Sequence, residues 1–204
     1  GPIRMSTSPF FHKLKPGARI FVQGAAATPQ ALLKKLTEES ERLTPLHLYH
    51  LHTEGLPPYL EEPYRSRFWV KSLFVGANLR KWIDGNRFDY IPCFLSEIPN
   101  LFRAKAIPLD AALIHVSPPD RNGYCSLGTS IDVTRAAIES APLIYAQINP
   151  KVPRTHGDTF IHQSAFAGSI EINEDLPESA AHPPTEDEMK IGQNIAQLIE
   201  DGST

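Results

Sequence analysis

Residues 110–150, DAALIHVSPPDRNGYCSLGTSIDVTRAAIESAPLIYAQINP, read as strand, loop, helix and strand. The apolar run Ala111–Val116 is broken by Ser117-Pro118-Pro119, since two prolines cannot continue a ladder. Asp120-Arg121-Asn122-Gly123 is a turn in which Gly123 is free to take positive φ. Thr129 or Ser130 can cap a helix whose Val133, Ala136, Ala137 and Ile138 recur at helical spacing. A second buried strand, residues 143–148, stops at Asn149-Pro150. Two apolar strands joined through a helix make a parallel βαβ unit, and such sheets take ligands beyond the strands' carboxyl ends. Two polar loops leave those ends, SPPDRNGYCSLG at 117–128 and NPKVPRTHGD at 149–158. Function is expected there.

The rest of the chain repeats the pattern. Residues 19–23 form a strand ending at Gly24, and Thr28 is expected as N-cap with Pro29 at the first helical position. Leu32, Leu33 and Leu36 supply that helix with an apolar face. Strands follow at 46–51, 68–75 and 88–91, with helices at 78–84 and 98–104. Alternating short strands and helices predict an α/β domain around an open, largely parallel sheet flanked by helices. One or two weaker strands are expected over 160–172. Thr185-Glu186-Asp187-Glu188 is a capping box opening an amphipathic helix with Ile191, Ile195, Leu198 and Ile199. Residues 1–15 are read as a tag and lead-in, Gly1-Pro2 resembling a protease-cleavage scar before Met5, and 16–204 as one domain.

Composition narrows the function classes. With 204 residues the chain can bury a substantial core. A net charge of −3 gives no electrostatic footprint for nucleic acid, and no apolar run is long enough for a membrane span. Cys93 and Cys125 have no metal-ligand spacing and read as buried thiols of a cytoplasmic protein.

No catalytic constellation is complete in the residues themselves. G-x-S-x-G, a P-loop and a dinucleotide fingerprint are all missing. Gly24 followed by Ala25, Ala26 and Ala27 lets a ligand approach backbone N–H groups, but the spacing alone favours a tight turn with no ligand. His50 and His52 share a strand face without further ligands for a metal. Glu97 and the run Arg154-Thr155-His156-Gly157-Asp158 are the remaining polar candidates. A histidine bonded to backbone is the plainer reading of that run.

Four stretches in order carry a resemblance. VQGAAATP at 22–29, SLFVGANLRKWIDGNRFDYIPCFLSEIPNLF at 72–102, ALIHVSPPDRNGYCSLGTSIDVTRAAIE at 112–139 and INPKVPRTHGDTFIH at 148–162 resemble the amino-terminal domain of the acetyl-CoA hydrolase/transferase family. Within it the 4-hydroxybutyrate and butyryl-CoA:acetate CoA-transferases are similar. The resemblance implies the CoA-transferase (NagB/RpiA-like) fold. It also implies transfer of CoA between a short-chain acyl-CoA and a carboxylate, in the cytoplasm, by a homo-oligomer. Coenzyme A enters as substrate, with no cofactor and no metal. The nucleophile it implies is a glutamate of a second domain beyond Thr204, which forms a glutamyl-CoA thioester, so no catalytic residue is expected in these 204. The substrate-binding residues it implies are Gly24, Ala25, Ala26, Ser117, Pro118, Asn122, Gly123, His156 and Gly157. The family usually carries a small residue where Gln23 stands. Two alternatives stay open: acetyl-CoA hydrolysis in the same family, or a non-catalytic module binding CoA or a protein.

Overall fold

The computed structural model describes residues 9–24, 27–50, 64–72, 88–90, 98–128, 132–154 and 159–176. In chain order these form β1 (Arg19–Val22), α1 (Gln30–Glu38), α2 (Ser40–Leu43), β2 (Leu46–His50), β3 (Phe68–Ser72), β4 (Phe88–Tyr90) and α3 (Ile98–Arg103). There follow β5 (Ala111–Val116), β6 (Tyr124–Ser126), α4 (Asp132–Ser140), β7 (Leu143–Ile148), β8 (Phe160–His162) and β9 (Phe166–Glu171). Seven strands make one sheet in the order β4-β3-β2-β1-β5-β7-β9. Every neighbouring pair in it is parallel. The expected open α/β sheet is therefore present.

The strands alternate with period two, and each face takes its own helices. Ile20, Val22, Leu46, Leu48, Ala111 and Leu113 pack under Leu32, Leu33 and Leu36 of α1 and Leu43 of α2. Phe21, Tyr49 and Ala112 face the other way, onto Ile98 and Phe102 of α3 and Val133, Ala136 and Ala137 of α4. Burying each large aliphatic side chain is worth about 1.5–3 kcal/mol, so α1 is held by its leucine face. β5 is buried at all six positions, as a central strand covered on both faces must be. Phe11 and Leu14 also belong to this core, so packing begins ahead of residue 16.

Two local expectations are corrected. α1 begins at Gln30, with Pro29 in the cap position and no side-chain cap bond. Thr28 instead offers its carbonyl to the N–H of Gln30 at 2.9 Å. The second correction is in the 117–128 loop, which contains β6, paired antiparallel with β8 in a two-stranded ribbon. Cys125, Leu127 and Ile161 of that region pack on Ile114, Val116 and Ile148 of the main sheet. The expected helices at 78–84 and 191–199, the cap residues Thr129 and Ser130, and Cys93, Glu97 and His52 lie outside the described residues.

Strand order marks a candidate ligand edge. The chain moves from β1 outward through β2 and β3 to β4, then returns to β5 on the other side of β1. The direction of winding reverses between β1 and β5, and the crevice outside the carboxyl ends at such a switch point is where open α/β sheets take ligands.

Candidate functional site

Gln23 and Gly24 follow β1 at this switch point, and Ser117 and Pro118 follow the neighbouring strand β5. Gln23 joins the two strand ends: its N–H donates to the Leu113 carbonyl at 3.1 Å, and its Oε1 accepts from the His115 N–H at 2.9 Å. Gly24, half-buried, is the last described residue before the loop. Ala25 and Ala26 lie outside the described residues, as do His156 and Gly157.

The loop after β5 is built around Ser117 and Asp120. The buried Ser117 hydroxyl accepts from the Ser126 N–H at 2.8 Å and from Arg154 Nη1 at 3.0 Å. Its oxygen is engaged in pinning the loop. Asp120 Oδ1 accepts from the N–H groups of Asn122 and Tyr124 at 2.9 and 3.0 Å. The Tyr124 N–H, then that of Asn122 and the Arg154 charge, hold this carboxyl below its ordinary range. Gly123 turns the chain at φ 86°, and a Cβ there would come within 2.6 Å of His162 Nε2. That ring nitrogen lies 2.9 Å from the Asn122 carbonyl. Ser117, Pro118, Asn122 and Gly123 are thus brought into one loop, and all but the exposed Pro118 ring have structural duties in it.

Arg154 gathers the two loops. Beyond Ser117, its Nη1 donates to the carbonyls of Pro118 and Tyr124 at 3.1 and 3.0 Å, and Nη2 reaches Asp120 at 3.4 Å. The guanidinium also stands 5.3 Å from the centre of the Phe160 ring. A planar fork with several donors suits this junction in a way an ammonium does not. Cys125 beneath it is buried, and burial pushes its thiol up, away from the thiolate a nucleophile needs. Tyr124 and Phe160 are the large hydrophobics left exposed among the described residues. Leu127, by contrast, is buried in the core.

A second polar cluster sits below this edge, and it escapes a reading by motif. Gln147 Oε1 accepts from the N–H groups of Ala31 and Leu32 at 2.9 and 3.1 Å. It does for α1 what Thr28 was expected to do, and it occupies amides that could otherwise meet an anion. Gln147 pairs in register with His115. The signal in the sequence is one polar residue at the same depth in two otherwise apolar strands, AALIHV and LIYAQI. No group of three metal-ligating side chains converges among the described residues, and none of their helices is long and apolar enough to cross a membrane.

A profile of the Acetyl-CoA hydrolase/transferase N-terminal domain matches residues 4–181. The chain belongs to the acetyl-CoA hydrolase/transferase family. Within that family it is 49% identical over 197 residues to a succinyl-CoA:acetate/propanoyl-CoA:succinate CoA transferase of Fasciola hepatica, covering 95% of this chain and 41% of the relative. A 4-hydroxybutyrate coenzyme A transferase of Clostridium kluyveri is 39% identical over 94% of this chain and 45% of its own length. The crystal structure of a 4-hydroxybutyrate CoA-transferase from Porphyromonas gingivalis superposes with a TM-score of 0.65 at 34% identity, over 94% of this chain and 44% of that one. The chain thus spans less than half the length of these family members.

Proposed function

We propose that this chain is the amino-terminal domain of a cytoplasmic, homo-oligomeric CoA-transferase that moves CoA between a short-chain acyl-CoA and a carboxylate such as acetate. The observation that carries the reading is the 49% identity, sustained over 95% of the chain, to a relative named for succinyl-CoA, acetate and propanoyl-CoA. The winding reversal between β1 and β5 supports it, since the stretches resembling the family's pocket, Gly24 and the Ser117 loop, leave the sheet there.

In this reading a second domain brings a glutamate to the crevice. Its carboxylate attacks the thioester carbonyl and displaces CoA as thiolate. The thiolate then takes the glutamyl carbonyl and releases the first carboxylate. A second carboxylate reverses the sequence and leaves as acyl-CoA. This domain contributes walls: Gly24 and the alanines after it admit the acyl group close to backbone, and Arg154 fixes the rim. His156 and Gly157 belong to the same rim in this reading. The test measures CoA transfer from succinyl-CoA to acetate by the polypeptide carrying both domains. Transfer that requires acetate supports the reading, whereas CoA release at the same rate without acetate assigns hydrolysis instead.

A further inference from the structure

His115 is a buried imidazole at the end of β5, 4% exposed, with side-chain amides arriving at one ring nitrogen. Gln147 Nε2 lies 3.4 Å and Asn149 Nδ2 3.3 Å from His115 Nε2. Neither amide can be turned over. Gln147 Oε1 is committed to the two N–H groups of α1. Asn149 Oδ1 accepts from the Lys151 N–H at 3.0 Å while its Nδ2 donates to the Glu174 carbonyl at 2.8 Å. Both groups facing Nε2 are therefore donors, and Nε2 must be the acceptor. The ring proton is left on Nδ1, which is buried with no partner among the described residues.

We propose that His115 is a positioning residue of the carboxyl edge, fixed as the neutral Nδ1–H tautomer, whose Nε2 lone pair holds Gln147 and Asn149 in place. Through Gln147 it sets the start of α1, and with it the far end of the Gly24 loop. Through Asn149 it sets the start of the loop leading to Arg154. Its own N–H anchors Gln23 at the near end of the Gly24 loop. Two of the chain segments that border the switch point thus share one ring acceptor, and the third is tied to the backbone N–H of the same residue. A charged ring would set an N–H against two other N–H donors, so the cluster excludes the imidazolium by geometry. Burial acts in the same direction and is the sole cause that lowers this histidine. The unpartnered Nδ1–H is a standing cost of this arrangement, incurred to keep the acceptor where two amides need it.

The inference rests on the transferase reading only in taking this edge as the site, and its test needs no turnover. Long-range proton–nitrogen spectra of the ring in the 204-residue chain should show a protonated Nδ1 and a bare Nε2, unchanged between pH 5.5 and 8. The opposite tautomer, or titration inside that range, overturns the proposal. His115→Gln retains an acceptor oxygen near the position of Nε2, and His115→Leu does not. Amide exchange at Ala31 and Leu32 should accelerate roughly tenfold in the leucine variant, the effect of one weakened hydrogen-bond relay, and stay near the parent rate in the glutamine variant. Equal exchange in all three proteins overturns the proposal, as does failure of glutamine to restore protection. If the CoA assay fails while these hold, the error lies in the assigned reaction and not in the role of His115.

Discussion

Arg154 Nη1 donates to the Ser117 hydroxyl at 3.0 Å, a bond that joins the loop after β7 to the loop after β5 across 37 residues of sequence. The same nitrogen meets the carbonyls of Pro118 and Tyr124. Replacing it with Ala strips a charged donor from two carbonyls and a buried hydroxyl. Arg154→Ala should lower stability by about 1–2 kcal/mol, read as a shift in urea midpoint, and Arg154→Lys should recover less than half of it. Full recovery by lysine would reduce the residue to a point charge and contradict the fork geometry.

Gly123 is confined by two conditions together, φ 86° and a Cβ position 2.6 Å from His162 Nε2. An alanine must both hold a left-handed backbone and displace the ring that meets the Asn122 carbonyl. Gly123→Ala should cost about 1–3 kcal/mol. A midpoint within error of the parent would show that the β6–β8 ribbon yields freely at this turn.

The turn at Gly123 was legible because glycine suits it best, and β5 and β7 were legible because each is a largely apolar run with a single polar residue, stopped by Ser117-Pro118 or Asn149-Pro150. β6 was not, since Tyr124-Cys125-Ser126 is too short for a period and becomes a strand only when β8 supplies its partner 34 or more residues later. Local rules point to Thr28 as the cap of α1 because they look for a neighbour. The group that accepts from Ala31 and Leu32 is Gln147, 116 and 115 residues away. The candidate site is legible as a place, the carboxyl ends of the strands, more than as a set of side chains. Ser117 and Gly123 hold the loop's shape, and the His115 cluster is visible only once β5 and β7 are set in register.

Burial pushes the His115 imidazole down to about 4, below its ordinary value near 6.5. Between those values the unfolded chain binds a proton that the folded chain refuses, so stability rises with pH from about 4 to 6.5 and is flat in this group above that. The full span is worth about 3 kcal/mol. Asp120 and Asp132, both held below the ordinary carboxyl range, lose stability in the same direction at lower pH. Urea midpoints of the parent and His115→Gln, compared from pH 4.5 to 7.5, isolate the histidine. The variant should show a shallower slope, and identical slopes would contradict the neutral buried ring.

Gly24 closes β1 at the point where the winding reverses. If the acyl group passes close to its backbone, Gly24→Val in the two-domain enzyme should reduce kcat/KM by at least about tenfold while the melting temperature changes by only a few degrees. A variant that unfolds instead would assign the glycine to the turn alone.

The most direct test of the whole account is CoA transfer itself. Succinyl-CoA and labelled acetate are incubated with the two-domain polypeptide and, separately, with the 204-residue chain. The account predicts acetyl-CoA formation by the first and none above background by the second, because the proposed function assigns the attacking carboxylate to a second domain. Stoichiometric transfer by the 204-residue chain alone, or no transfer by the two-domain polypeptide, would contradict it.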